Sequence, residues 1–139
     1  MVLKECSFKD TLFEDLQLVG VNWTDTNLAQ MKFVVAKPVD FVRCALNHSM
    51  FMGLNLANLR LIECAARDVS FEDANLSRAN CTRTDFAESR FLHTNLSEAD
   101  FTGATNYSIA ANLNTLKKTK FSLPEAMSLL YSLDIVLTE

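Results

Sequence analysis

Large apolar side chains recur every five residues over most of the 139-residue chain. They form two runs: Leu3, Phe8, Phe13, Leu18, Trp23, Leu28 and Phe33, followed by Phe41, Leu46, Phe51, Leu56, Leu61, Ala66, Phe71, Leu76, Cys81, Phe86, Phe91, Leu96 and Phe101. A period of five fits neither an α-helix, which repeats every ~3.6 residues, nor a β-strand, whose side chains alternate. Self-similarity this regular is typical of a solenoid.

Most of these five-residue repeats (pentads) also carry a small residue two positions before the large one. Asn or Asp often lies directly before the large residue, as in Ala74-Asn75-Leu76. If each pentad is one side of a square coil, the small and the large residue both point inward, and residues twenty apart lie over one another. Bulk is matched at that spacing in two columns: Phe51, Phe71 and Phe91, and Leu56, Leu76 and Leu96. We therefore expect an all-β solenoid of about five coils with these six side chains stacked in its core.

The two runs differ by a slip of three residues between Phe33 and Phe41. The slip contains Lys37-Pro38, and proline favours an interruption of regular pairing. Removing three residues there places Val19, Val42 and Ile62 in one outward column.

After Phe101 the five-residue repeat of apolar residues is no longer regular. We therefore predict the solenoid at residues 1–106 and a C-terminal segment at residues 107–139. Ser122-Leu-Pro-Glu125 has the pattern of a capping box with proline in the first turn, which predicts a helix of about ten residues. The helix has an apolar stripe, which would cap the last coil or form a dimer contact: Leu123, Met127, Leu130 and Leu133. At the other end, Leu3 already occupies an inward position, which predicts an open edge that self-associates or a chain without the upstream coils of longer relatives.

The motif of a small residue, Asp or Asn, Leu or Phe and two variable positions resembles the pentapeptide-repeat family. Ala74-Asn75-Leu76, Thr94-Asn95-Leu96 and Ala99-Asp100-Phe101-Thr102-Gly103 carry the resemblance, which covers about residues 1–106. It implies a right-handed quadrilateral β-helix. Similar, better-understood proteins protect DNA gyrase from quinolones or from a microcin by presenting an acidic rod that mimics DNA. The resemblance therefore implies a protein partner, with a type II topoisomerase as one candidate.

The net charge is −4 and the pI about 5.2, which argues against direct nucleic-acid binding. A DNA mimic needs a continuous negative stripe, and the best outward column is modest: Asp25, His48, Asp68 and Glu88, with Asp85 beside it. Arg67 interrupts this face. The neighbouring column of Arg43, Glu63 and Arg83 alternates in sign, as expected of a self-neutralising face.

Outward apolar residues offer a second candidate surface for a protein partner. Val19, Val42 and Ile62 are predicted on one face and Met52 with Leu92 on another. Single exposed apolar residues are common on protein surfaces, so a structural interpretation stays open beside the partner surface.

The sequence offers little that fits catalysis. Cys44 and Cys64 fall in one inward column, where packing is the simplest role, although a disulfide could span one coil. His48 and His93 project from different faces, so we expect no metal site, and no cofactor motif is present. A filled interior also lacks the concave pocket that catalysis usually needs. An enzyme using Cys44, Cys64 or a histidine is the weakest hypothesis.

The first six residues contain neither a basic segment nor an apolar run, so the sequence predicts no signal peptide or membrane span and a cytoplasmic location with reduced cysteines. The leading hypothesis is a non-catalytic binding or scaffold protein that acts through its outer faces, as a homo-oligomer and most simply a dimer. The alternative is a DNA mimic that binds and protects a topoisomerase.

Overall fold

The computed structural model describes residues 11–25, 39–133, 135, 136 and 138. Its regular elements are the strands β1 (Thr11–Glu14), β2 (Val39–Val42), β3 (Arg60–Ile62), β4 (Asp100–Phe101) and β5 (Lys120–Phe121), the 3-10 turns Trp23–Asp25 and Ala111–Leu113, and the helix α1 (Met127–Tyr131). Strands β1, β2 and β3 form one parallel sheet in that order, and β4 pairs with β5 in parallel.

Between these strands, the backbone pairs through parallel bridges that join residues twenty apart. Asn55 pairs with Asn75, and Asn75 pairs with Asn95. Along one coil the bridges recur every fifth residue, so each coil has four sides of five residues. Because each coil hydrogen-bonds to the next, as in the 2.7 Å bond from Leu56 N–H to the Asn75 carbonyl, the backbone polar groups are satisfied between coils. The architecture is a parallel β-solenoid.

The interior is a set of stacked apolar columns. The rings of Phe51 and Phe71 are 5.5 Å apart and nearly parallel, and those of Phe71 and Phe91 are 5.2 Å apart. Trp23 extends this column, with its ring 5.7 Å from that of Phe51. The next column is buried throughout: Leu56, Leu76 and Leu96. This is the arrangement that the twenty-residue spacing predicts.

The corners are made by two devices. The Asn or Asp before an inward residue accepts a hydrogen bond from the backbone two positions on, as Asn75 Oδ1 does from Ser77 N–H at 3.0 Å. The residue two positions after the inward one adopts a positive φ, for example 58° at Arg78 and 60° at Glu98. Gly20, Gly53 and Gly103 occupy the same position elsewhere. The sequence pattern indicated the first device and not the second, since charged residues rarely adopt this conformation.

The predicted register of the first described coil was wrong. Strand β1 pairs Phe13 with Phe41, so 28 residues separate them, eight more than in the other coils, where three extra had been expected. Side-chain size explains why the observed register is preferred over the predicted one. It stacks Phe13 on Phe41, with ring centroids 5.5 Å apart, and Trp23 on Phe51. The predicted register would have placed Trp23 against Leu46 instead. Aromatic pairs of this kind stabilise beyond their buried area.

Two predicted outward columns change with the register. Val42 pairs with Glu14 and Ile62, so Val19 does not lie below it. Gly20, whose N–H bonds to the Asn47 carbonyl, lies below His48 in place of Asp25. The Lys37-Pro38 interruption and the predicted open edge at Leu3 lie outside the described residues.

The solenoid continues beyond residue 106, where the sequence analysis ended it. Thr115 pairs with Asn95, and β4 pairs with β5 so that Phe121 packs 5.4 Å from Phe101. Leu116 and Phe121 are in phase with the earlier pentads, at fifteen and twenty residues after Phe101. The intervening positions of that phase hold Asn106 and Ala111, which concealed the pattern. Asn106 is exposed in the structure, and Tyr107 and Ile109 are buried instead.

The C-terminal helix α1 has five residues, about half the predicted length, and no side-chain cap. The predicted capping box is not formed. Ser122 Oγ instead accepts a hydrogen bond from Gly103 N–H at 2.9 Å, and Glu125 Oε2 accepts one from Asn106 N–H at 3.3 Å. Both side chains thus satisfy backbone donors of the solenoid.

The predicted apolar stripe does not face the solenoid either. Leu129 of α1 packs against the core, and Ser128 Oγ donates to the Tyr107 carbonyl at 3.5 Å. Leu123, Leu130 and Leu133 remain exposed, and Met127 is half-buried. None of the helices in the described part of the chain has the length and apolar character that crossing a bilayer requires.

Candidate protein-binding surface

One face of the solenoid covers the column of Phe51, Phe71 and Phe91. The positions directly before and after those rings form the surface of this face, and all of them except the buried Ser70 are at least partly exposed. We call it the methionine face: Met50, Met52, Ser70, Glu72, Arg90 and Leu92. The bridges from Met50 to Ser70 and from Ser70 to Arg90 hold three coils in register. The backbone therefore fixes the spacing of these side chains along the solenoid axis.

The methionine face exposes large apolar side chains. Met50 is 40% exposed, Met52 43% and Leu92 38%. Leu113, 47% exposed, lies on the next coil, where its carbonyl accepts a hydrogen bond from His93 N–H at 2.9 Å. Clustered exposed apolar side chains of this size are typical of interaction surfaces.

Charged groups lie among these apolar side chains. Arg90 Nη1 is 2.7 Å from Asp68 Oδ1, and Arg90 Nε is 3.8 Å from Glu72 Oε1. His48 Nδ1 lies 2.8 Å from Asp68 Oδ2. The hydrogen bonds from Arg90 and then from His48 hold the pKa of Asp68 below its usual value, since both favour the carboxylate.

Asp73 lies at the corner next to Glu72, with its carboxylate 3.7 Å from His93 Nδ1. Glu88 lies on the same corner as Asp68, one coil further. With both histidines neutral, the four carboxylates of Asp68, Glu72, Asp73 and Glu88 outnumber the one guanidinium of Arg90, so the face and its corners carry a formal charge of −3. The surface is both apolar and acidic.

The predicted acidic column is divided by the register and by ion pairs. Asp25 lies outside it, as described above. Asp68 is paired with Arg90, and Asp85 Oδ2 is 3.7 Å from Arg67 Nε. Glu88 remains exposed at its corner. The structure thus brings Asp68, Asp85 and Glu88 to one side of the solenoid, but arginines interrupt the negative stripe.

The neighbouring corner column alternates in sign along its length. Arg43 Nε lies 2.8 Å from Asp15 Oδ1, and Arg83 Nη2 lies 3.0 Å from Glu63 Oε1. The hydrogen bond from Arg43 lowers the pKa of Asp15. This column neutralises itself, as its sequence indicates.

The other apolar candidates do not form one patch. Val42 is buried and Ile62 half-buried on the face that covers Phe41 and Leu61. Val19 is exposed on a different face. Of the predicted apolar partner residues, Met52 and Leu92 lie on one face, two coils apart.

A further face serves as a contrast because its side chains are small and polar. This asparagine face covers the leucine column and carries Asn55, Ala57, Asn75, Ser77, Asn95 and Ser97. Asn75 Nδ2 donates to Asn55 Oδ1 at 3.0 Å, so the amides bond to one another along the axis.

The described cysteines are packing residues. Cys44, Cys64 and Cys81 are free and buried. Burial raises the pKa of Cys64 to about 12, which keeps the thiol protonated at neutral pH. Among the residues that the structure describes, no three His, Cys, Asp or Glu side chains are grouped so as to hold a metal ion.

Sequence reasoning missed Met50, Glu72, Asp73, Arg90 and Leu113 as parts of the candidate surface. The signal was available for the first four, since they flank the inward positions of one column at twenty-residue spacing. Sorting the outward positions face by face would have grouped them with Met52 and Leu92. Leu113 depends on a local change in spacing after Phe101 and could not be found in this way.

Comparisons with solved structures give matches of low similarity. A trypsin-treated form of QnrB1, a plasmid-mediated fluoroquinolone resistance protein, is 13% identical with a TM-score of 0.40, covering 99% of this chain and 96% of its own. Rfr23, a pentapeptide-repeat protein from the cyanobacterium Cyanothece 51142, is 17% identical with a TM-score of 0.36, covering 81% and 88%. HetL from Nostoc sp. strain PCC 7120, described as involved in heterocyst differentiation regulation, is 15% identical with a TM-score of 0.36, covering 86% and 61%.

Similarities at this level carry no information about a shared partner. No curated protein sequence matches the chain. The family model for pentapeptide repeats, however, matches residues 67–103 in eight copies, within the part of the solenoid where the twenty-residue register is regular. Residues 67–103 therefore consist of pentapeptide repeats.

Proposed function

We propose that the protein is a non-catalytic binding module that contacts a partner protein through the methionine face. The observation that carries the proposal is the clustering of exposed Met50, Met52 and Leu92 beside the carboxylates of Glu72 and Asp73. Methionine is enriched at protein interfaces, where its flexible, polarizable side chain adapts to a partner.

The framework behind this face supports binding. Its backbone groups bond to the coils on either side, and Phe51, Phe71 and Phe91 fill the space beneath. A preorganised surface loses little conformational freedom on association, so more of the interaction free energy remains as affinity.

Site-specific photocrosslinking tests the proposal. A photoreactive phenylalanine analogue at position 52 should crosslink in cells to a discrete protein, and the same analogue at position 57 on the asparagine face should not. The crosslink should weaken when Leu92→Ser is added. Equal crosslinking from positions 52 and 57, or none from either, would contradict the proposal.

We also propose that a second copy contacts the C-terminal end, making a homodimer. The exposed Leu123, Leu130 and Leu133 support it, because the described fold leaves them uncovered while Leu129 faces the core. Sedimentation velocity should show a dimer that a Leu123→Ser, Leu130→Ser double variant converts to a monomer. A monomeric wild-type chain would reject the contact.

The alternative, a DNA mimic that protects a type II topoisomerase, has the net charge of −4 in its favour. The ion pairs of Asp68 with Arg90 and of Asp85 with Arg67 make it the weaker proposal. A gyrase supercoiling assay with a quinolone separates the two, since protection at stoichiometric protein would favour the mimic. In either role we propose a cytoplasmic location.

A further inference from the structure

We infer that the methionine face binds a basic amphipathic helix of its partner, lying along the solenoid axis. The inference rests on the proposed function and adds the chemistry of the occupant. Met52, Leu92 and Leu113 would contact its apolar positions, and Glu72 with Asp73 its basic ones.

The apolar side chains have a spacing that suits a helix. Met52 and Leu92 occupy equivalent positions two coils apart, and at about 4.8 Å per coil they are separated by roughly 9.6 Å. Helical residues seven apart in sequence are about 10.5 Å apart and lie on the same side of the helix. Leu113, one coil further, falls opposite a residue about ten or eleven positions after the first.

The charges between those apolar contacts select the sign of the occupant. The coil between Met52 and Leu92 supplies Glu72 and Asp73, and Asp73 is exposed at the corner. A helix residue three or four positions after the one over Met52 would lie above this coil. Lysine or arginine there would pair with the carboxylate of Glu72, which Arg90 neutralises only in part at 3.8 Å, and with that of Asp73. The formal charge of −3 favours a basic partner and disfavours an acidic one or a nucleic acid.

The one α-helix in the described part of a second copy does not fit this role. Helix α1 has five residues, less than two turns, and cannot span from Met52 to Leu113. The sequence around it, from Ser122 to Asp134, contains Glu125 and Asp134 and neither Lys nor Arg. Since the described residues of a second copy offer no suitable helix, the inferred occupant is a segment of another protein.

The test uses the full-length chain and three synthetic helical peptides of about eighteen residues, measured by fluorescence anisotropy. The basic peptide carries Leu at positions i, i+7 and i+11 and Lys at i+3 and i+4. The acidic peptide replaces Lys with Glu. The dispersed peptide has the composition of the basic one with its leucines spread around the helix. We expect the basic peptide to bind at least about tenfold more tightly than either control.

Variants locate the binding. The Met52→Ser, Leu92→Ser double variant should weaken binding of the basic peptide by about tenfold or more. Val19→Ser should leave it unchanged, because Val19 is similarly exposed on another face. Circular dichroism verifies that each variant is folded. Equal binding of basic and acidic peptides, equal losses in both variants, or no binding of the basic peptide would overturn the inference.

The result also separates this inference from the proposed function. If position 52 crosslinks a partner in a Leu92-dependent manner while the basic peptide does not bind, the methionine face binds a ligand of other chemistry and only the helix is rejected. If the crosslinking fails as well, the binding role of the face is rejected with it.

Discussion

Replacing Phe71 with alanine should remove more stability than any other single change in the aromatic column. The centroid of its ring lies 5.5 Å from that of Phe51, 5.2 Å from that of Phe91 and 6.0 Å from that of Phe86, which is edge-on to it. The side chain is fully buried, and main-chain bonds fix the coils above and below, so the cavity cannot collapse.

Phe→Ala substitutions in protein cores cost about 3–5 kcal/mol, and we expect the upper part of that range here, about 4 kcal/mol. For a chain of this size, such a loss lowers the melting temperature by roughly 12–20 °C. Urea unfolding followed by circular dichroism measures the change directly.

Two control variants sharpen this experiment. Phe71→Leu keeps most of the apolar volume and should cost less than about 2 kcal/mol. Leu92→Ala, at an outward position next to Phe91, should cost about 0.5 kcal/mol or less. If Phe71→Ala were no more destabilising than Leu92→Ala, the ring would not be enclosed by its neighbours and the reasoning would fail.

Three further predictions follow from the corners, the ion pairs and the core. Because Glu98 adopts a positive φ of 60°, Glu98→Val should destabilise the protein by about 1–2 kcal/mol, while Glu98→Gly should be neutral or stabilising. Thermal unfolding measures both changes, and equal effects of the two variants would contradict this account of the corner. Because the pKa of Asp68 is lowered in the folded protein, this carboxylate contributes stability above about pH 5 that is lost as the pH falls through that pKa. Asp68→Asn should therefore reduce the loss of unfolding free energy at acid pH, as urea unfolding at several pH values would show. An unchanged acid dependence would be contrary evidence. Cys6 lies outside the described residues and is replaced by serine in this experiment. The buried Cys44, Cys64 and Cys81 should then react with a disulfide reagent only as fast as the protein unfolds. Rapid labelling of the folded protein would disprove their burial.

The parts of the fold that repeat were predictable from the sequence because one physical rule applies at each coil. Each large inward position holds an apolar side chain, and in two of the four columns the residue twenty places later matches it in size. This rule places Phe51, Phe71 and Phe91 in one column without any knowledge of the corners. The prediction failed at the first described coil because the register there was taken from the five-residue spacing and not from side-chain size. Matching the large Trp23 to Phe51 would have given the observed register.

The C-terminal end was less predictable because its local patterns are ambiguous. Ser122 and Glu125 have the spacing of a capping box, yet they bond to the backbone of Gly103 and Asn106. The choice depends on which unsatisfied donors lie nearby, and that is a property of the assembled coil. The candidate surface was predictable in part. Met52 and Leu92 could be identified from the sequence, whereas the role of Arg90 depends on its contacts with Asp68 and Glu72.

The central claim is that residues twenty apart lie directly over one another inside the solenoid. Nuclear Overhauser effects between ring protons, measured on deuterated protein with protonated phenylalanine, test it most directly. The structure predicts cross-peaks between Phe51 and Phe71 and between Phe71 and Phe91, and none between Phe51 and Phe91. Absence of the first two, or cross-peaks linking Phe71 to rings outside its own and the adjacent column, would contradict the stacked arrangement.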